Sequence, residues 1–401
     1  MRILQLCNKP PYPPIDGGSK AMHNLTRGLI KAGHEVKVLC ISTPKQPLDL
    51  AALPAEYVRS TRIEGVFVDT SVNIVDAFTD LITADNYNIS RFFSPDMDIR
   101  LIQLLSEERF DVVQLESLFM TPYIPTLRRY TKARLVLRSH NLEYVIQDRI
   151  ASGERNILKR PYRRYLANQL RAYEMAVLDR VDGVAAITPS DAEHLSKHGS
   201  KTKIVTIPFG VDPDEYPVDP GDASKMPSFF HLGSMDWLPN DEGIRWLLAS
   251  VWPRVVRKYP TAQLHLAGNK MPKDLMAMEL AGLKVKGRVK DAIKYMRKRS
   301  VMTVPLFSAG GMRVKIIEGM AMGKPVIATP IGAEGIDHTD GKNILIARNA
   351  NEFVEQMVGL IKEPERALQI GAEARKLITS TYSDHPIVAE LTAFYKRLRK
   401  E

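Results

Sequence analysis

The chain has 401 residues, which at about 150 residues per domain implies two or three domains, each long enough to bury its own core. With 44% hydrophobic and 25% charged residues it is neither collagen-like, mucin-like nor wholly disordered. Lys plus Arg number 56 against 46 Asp plus Glu, and the formal charge of +10 favours an anionic partner: nucleic acid, anionic lipid or a phosphorylated small molecule.

The N-terminal run Ile3–Cys7 is too short for a signal sequence, and no stretch approaches the roughly 18–20 apolar residues of a membrane span. The cysteines, Cys7 and Cys40, do not suggest a disulfide framework, so a reducing, cytoplasmic setting is expected. Short apolar runs then alternate with helical-period stretches. Strands are expected at 3–7, 36–41, 112–115, 135–137, 184–187 and 204–207, and in a second series at 229–232, 264–267, 301–306, 326–328 and 344–346. This alternation predicts an α/β fold of two doubly wound, Rossmann-like domains facing across a cleft. The expected plan is a domain at 1–210 with an insertion of short helices at about 45–100, a Pro/Gly/Asp-rich linker at 211–225, a domain at 226–384, and a C-terminal helix at 385–401 crossing back to the first domain.

In such sheets ligands gather at the carboxyl ends of strands. Gly17-Gly18 follow the first strand and open a helix, where backbone amides favour an anion, although a plain tight turn explains them equally well and the spacing is not GxGxxG. His140, Asn141 and Glu143 fall just after a central strand, as groups that orient hydroxyls or bear on a proton transfer, or as a capped helix start. Arg155, Lys159, Arg160, Arg163 and Arg164, interleaved with Ile157, Leu158, Tyr162 and Tyr165, form either a solvated helix face or a surface for anionic lipid. A second basic stretch, 284–299, has few aromatic residues, which argues against nucleic acid.

The most informative stretch is Pro305 to Thr329, read as strand, glycine turn, helix and strand. Free helix amides at Gly310-Gly311 would hold an anion, with Met312 beside them, and Arg313 and Lys315 in the first turns would be relieved by it. Gly319 to Lys324 is not a Walker A loop. Asp96-Met97-Asp98 and Asp212-Pro213-Asp214 have a DxD form but end no buried strand, the histidines lack metal-ligand spacing, and no GxSxG elbow occurs.

That stretch resembles the donor-binding helix of retaining glycosyltransferases of the GT-B fold, family 4 in particular. Gly17-Gly18, Gly33-His34-Glu35-Val36, Asp182 to Ser190, Ile207 to Asp212, and His231-Leu232-Gly233-Ser234-Met235 support it in order along nearly the whole chain. The resemblance implies retaining transfer of a sugar from a UDP-, GDP- or dTDP-sugar to a glycan, lipid-linked or small-molecule acceptor hydroxyl, in polysaccharide, lipopolysaccharide or other glycoconjugate synthesis. No cofactor or metal is implied. Donor contacts would come from Gly17, Gly18, Gly233, Ser234, Gly310, Gly311, Met312, Arg313, Lys315 and Glu318, the last being the second Glu of the E-x7-E motif, on the ribose. His140 and Arg313 would serve the reacting centre, and Asn141 and Glu143 the acceptor side.

Two departures stand out. The first Glu of that motif is replaced by Gly310, and the usual Arg and Lys after the first strand of the second domain are replaced near Ser234 and at Pro239 or Asn240. The expectation is that Arg313 or Lys315 supplies the missing charge. A noncatalytic sugar-nucleotide or glycan-binding protein and a sugar-nucleotide epimerase fit the same residues, and peripheral contact at the inner membrane face fits the basic helix.

Overall fold

The computed structural model describes residues 1–70, 87–154, 156–197, 202–218, 227–308 and 310–400. It divides into two compact units: residues 1–210 with 384–401, and residues 211–383.

The first unit is built on a seven-stranded parallel sheet in the order β3-β2-β1-β4-β5-β6-β7. Its strands are β1 (Arg2–Cys7), β2 (Glu35–Ser42), β3 (Glu64–Phe67), β4 (Val112–Glu116), β5 (Arg134–Ser139), β6 (Gly183–Ala186) and β7 (Lys203–Thr206). The central strands are buried along their length because helices cover both faces of a parallel sheet, and this is why they read as unbroken apolar runs. Edge strand β3 alternates between half-buried and exposed and gives no such run, so it was not anticipated within the irregular 45–100 region. Helix α1 (Gly17–Lys31) starts at Asp16, whose carboxylate accepts from the Ser19 backbone N–H while the Ser19 hydroxyl faces the Asp16 N–H. Helices α2 (Glu143–Gly153) and α3 (Lys159–Leu178) follow β5.

The second unit has a six-stranded parallel sheet in the order β10-β9-β8-β11-β12-β13, with β8 (Phe229–Leu232), β9 (Leu264–Ala267), β10 (Leu283–Lys286), β11 (Val301–Val304), β12 (Val326–Ala328) and β13 (Leu345–Ile346). Edge strand β10 repeats the alternation of β3 and lies inside what read as a basic cluster. Helices α4 (Leu238–Trp246), α5 (Val314–Ala321) and α6 (Pro364–Thr381) pack in this unit. The stretch read as linker is structured at its start: Val211 and Tyr216 are buried, and Asp212 caps a 3-10 turn at Pro213–Glu215, which accounts for that DxD. Residues 219–225 of it lie outside the described residues.

The C-terminal helix α7 (Asp384–Arg399) belongs to the first unit. Its Ile387, Leu391, Phe394 and Leu398, four apolar residues at helical spacing, join Ile3, Val38 and Val136 in one core cluster. Each such side chain contributes about 1.5–3 kcal/mol by burial. In both sheets the strand order reverses direction once, between β1 and β4 and between β8 and β11, and the carboxyl ends there are the expected ligand positions.

Candidate active site

In the second unit, β8 ends in His231 and Leu232 and passes into Gly233 and Ser234. His231 Nδ1 lies 2.8 Å from the Thr303 carbonyl oxygen, which can only accept, so the proton sits on Nδ1 and Nε2 keeps its lone pair. Burial, and then the nearby Lys315, hold the ring neutral, well below the ordinary histidine range. The Asn240 amide nitrogen donates to the Ser234 carbonyl at 2.8 Å, which turns its oxygen outward. Onto these two neutral acceptors comes Lys315, from the first turn of α5: its ammonium donates to Asn240 Oδ1 at 2.7 Å and lies 3.4 Å from His231 Nε2.

Among the described residues no carboxylate pairs with Lys315. Loss of surrounding water, and then Arg313, push its pKa down to about 7. A Cβ on Gly233 would fall 2.9 Å from this ammonium and 2.7 Å from the Asn240 amide, so glycine is what lets the loop lie over the cation. A half-buried ammonium held only by neutral acceptors carries an uncompensated charge.

The Gly310-Gly311 expectation needs correction. Helix α5 begins at Val314, three residues after Gly311, so the amides of Gly310-Gly311 are not those of the helix end. Gly311 has φ +69°, which only glycine adopts freely, and the buried Arg313 guanidinium turns back to donate to the carbonyls of Gly310 and Gly311. The same guanidinium lies 5.7 Å from the Trp237 ring centroid. Arg313 thus shapes the loop, and Met312 is half-buried within it. Glu318, also on α5, is buried and accepts from the Tyr216 hydroxyl at 3.0 Å. The Ser234 hydroxyl donates to Asp236 at 2.6 Å.

In the first unit, Gly17 and Gly18 are the first residues of α1. Lys9 binds the capping Asp16 at 2.7 Å and stands 3.0 Å from where a Gly18 Cβ would be, so a side chain at 18 would crowd this ion pair. Burial opposes ionisation of Asp16, but the Lys9 charge and hydrogen bonds lower its pKa to about 2.

His140 follows β5, and its Nε2 lies 2.7 Å from Glu116 Oε2 at the end of β4. Glu116 is fully buried and was missed from sequence, although a carboxylate closing the strand Val112-Val113-Gln114-Leu115-Glu116 was an available signal; His231 was named only within a family motif and Asn240 only as a position lacking the usual cation. Asn141 donates to Glu143 at 3.3 Å. Burial raises the Glu143 pKa to about 6 and that of neighbouring Glu174 to about 8, where Glu174 accepts from the backbone N–H groups of Glu143 and Tyr144 at 3.3 and 3.1 Å and so caps α2.

No group of three or more His, Cys, Asp or Glu among the described residues is disposed to hold a metal ion. No helix among them is long and apolar enough to cross a membrane. Asp96 and Asp98, the other DxD, lie in the first turn of the helix Pro95–Glu107.

Two parallel doubly wound sheets, each with one switch point, are the architecture of the GT-B fold. A model of Glycosyltransferase Family 4 matches residues 15–215, half of the chain, and a model of Glycosyl transferases group 1 matches residues 226–363. The chain belongs to glycosyltransferase family 4. It is 21% identical over 400 residues to an uncharacterised 44.6 kDa protein of the cps region of Klebsiella pneumoniae, covering 97% of this chain and 98% of that one. Its fold is similar to sucrose-phosphate synthase from Thermosynechococcus elongatus, with a TM-score of 0.72, 17% identity and 99% of each chain covered. It is also similar to HepE of Anabaena in complex with UDP, with a TM-score of 0.68, 14% identity, and 99% and 100% of the two chains covered.

Proposed function

We propose that this glycosyltransferase moves a sugar, with retention of anomeric configuration, from a nucleoside diphosphate sugar to an acceptor hydroxyl in glycan or glycoconjugate synthesis. The observation that carries this reading is Lys315, whose ammonium rests on Asn240 and His231 with no paired carboxylate among the described residues. A diphosphate is an anion of the right kind, and the ammonium arrives beside Asn240, where a lysine of the family pattern would have projected. Lys315, rather than Arg313, is therefore the replacement cation, while Arg313 holds the loop carbonyls. By the family pattern Glu318, which is buried and accepts from the Tyr216 hydroxyl, would take the ribose hydroxyls in exchange for that bond, and Gly17 and Gly18 open a helix whose N-terminus suits a phosphate. In the transfer, the bond from the anomeric carbon to phosphate breaks, the acceptor oxygen bonds to that carbon on the same face, and its proton passes to the departing phosphate. Preorganised donors at the diphosphate stabilise the charge that develops there, and this scheme calls on no divalent metal. The complex of HepE with UDP supports a nucleotide donor and makes UDP the first base to try.

A thermal-shift panel of UDP, GDP, ADP, dTDP and their common sugars, with and without magnesium, tests the reading. A ligand at about 100 times its Kd adds about 2.7 kcal/mol. One nucleotide preference, lost in Glu318→Ala, is expected, followed by transfer to an added acceptor. Silence across the panel favours the noncatalytic binding protein, and an altered donor without transfer favours an epimerase.

We also infer peripheral contact with an anionic inner membrane face through the start of α3, which suits a lipid-linked acceptor and a cytoplasmic location. Ile157 and Leu158 are 84% and 88% exposed and sit beside exposed Lys159, Arg160 and Arg164. Arg163 is partly committed to Glu154 at 3.0 Å, and Arg155 lies outside the described residues. Co-sedimentation with vesicles containing phosphatidylglycerol, but not with pure phosphatidylcholine, is expected. Equal recovery of wild type and the Ile157→Ser/Leu158→Ser variant would overturn it.

A further inference from the structure

We propose that Glu116 is a positioning residue for His140: it makes Nε2 of the ring the proton-bearing nitrogen and leaves Nδ1 to meet the substrate. This rests on the glycosyltransferase reading above and adds a residue beside His140. Glu116 is fully buried at the carboxyl end of β4, next to the switch point of the first sheet. Its Oε1 accepts from the amide of Gln5 at 3.2 Å and from the amide of Gln114, and its Oε2 is left for His140 Nε2 at 2.7 Å.

Both glutamines are turned by the carboxylate they serve: an ionised Glu116 only accepts, so each presents its NH2 to Oε1. Gln5 Oε1 lies 2.7 Å from the Thr26 hydroxyl on α1, and Gln114 Oε1 accepts from the Tyr395 hydroxyl on α7. The hydroxyls complete the outer sides of both amides, and with both NH2 groups on Oε1 the other carboxylate oxygen, Oε2, faces the imidazole.

Arg138, the cross-strand partner of Glu116 on β5, is itself buried and donates to the carbonyls of Ile207 and Pro208 at 3.1 and 3.3 Å. Burial alone would raise the Glu116 pKa, but the bond to His140, the His140 and Arg138 charges and the Gln114 amide hold it below the usual carboxylate range. An ionised carboxylate only accepts, so Nε2 must carry hydrogen. Nδ1 meets no partner among the described residues. His140 therefore presents one ring nitrogen at the sheet's ligand-facing edge, which accepts from a sugar hydroxyl when the ring is neutral and donates to one when it is charged.

A single substitution removes that obligate acceptor. In Glu116→Gln one oxygen and one NH2 are shared between the Gln5 and Gln114 amides and His140, so nothing any longer obliges Nε2 to carry the hydrogen. The full chain labelled with 15N-histidine, with the His140 signal identified by its loss in His140→Ala, reads this directly at about pH 8.5. Wild type is expected to show Nε2 protonated and Glu116→Gln to lose that preference; an unchanged ring pattern would overturn the proposal. Glu116→Asp, which withdraws the carboxylate by one carbon, is expected to lose the preference for Nε2, and it covers a Gln variant that does not fold.

Release of UDP from UDP-glucose supplies the second readout. Glu116→Gln is expected to lower kcat about tenfold with KM within about twofold, and to change the rate by less than about twofold on the His140→Ala background. Additive losses would assign Glu116 a purely structural role. Absence of UDP release by wild type bears on the donor reading, while the ring nitrogens still decide the Glu116 proposal.

Discussion

The two sheet ends treat buried charge in opposite ways. At the end of β4 the Glu116 carboxylate is matched on every side by Gln5, Gln114, His140 and Arg138. At the end of β8 the Lys315 ammonium rests on two neutral acceptors and has no carboxylate partner among the described residues. A matched charge holds its neighbours in place and costs stability when broken, whereas an unmatched one costs stability while it is present and is relieved by a ligand. The first arrangement positions a side chain; by the proposed function, the second receives the diphosphate of the donor.

The largest expected effect breaks the second arrangement. Lys315→Met should weaken UDP binding by about 100-fold, the order of a charged hydrogen bond lost at about 3 kcal/mol, without lowering the melting midpoint of the unliganded protein. Calorimetric titration and a melt measure the two, and a variant that binds UDP normally sinks the role given to Lys315. The same group sets a pH dependence. Its pKa of about 7 means that above that pH the diphosphate must bring a proton with it, so affinity should fall by up to about tenfold per pH unit as pH rises past 7 and level off below it. Flat affinity from pH 6 to 9 would contradict this.

Arg313→Ala should cost less, about tenfold in donor affinity, because its bonds go to the loop carbonyls. Full donor affinity and activity in that variant would remove Arg313 from the site.

The smallest effect concerns another buried carboxylate of the first unit. Glu174 has a folded-state pKa of about 8, above its unfolded value, so the folded chain binds the extra proton and stability should decline as pH rises from about 4.5 to 8. Glu174→Gln, which keeps an acceptor for the α2 backbone, should flatten that decline and raise the midpoint at pH 8 by about 2–4 °C, for about 1 kcal/mol. A melt showing the wild-type slope in the variant would deny the buried proton.

Central strands such as β1 and β4 were legible because parallel strands covered on both faces require continuous apolar residues, and the segment from Pro305 to Thr329 announced itself by its glycines and its family pattern. Edge strands β3 and β10 were not, since a strand half open to water alternates like a loop over four residues. The sequence also named Lys315, Arg313 and His140 without deciding what each does.

The order of strands and helices, the glycine required at Gly311 and the capped start of α1 are local matters of periodicity, φ and hydrogen bonds a few residues apart, and the sequence by itself determined them. Which charges are matched was decided by tertiary structure alone. Glu116 meets His140 24 residues away, Gln114 meets Tyr395 281 away, and Lys315 meets Asn240 75 away. A side chain's period shows whether it faces the core, but its partner and its protonation depend on which strand ends the fold brings side by side.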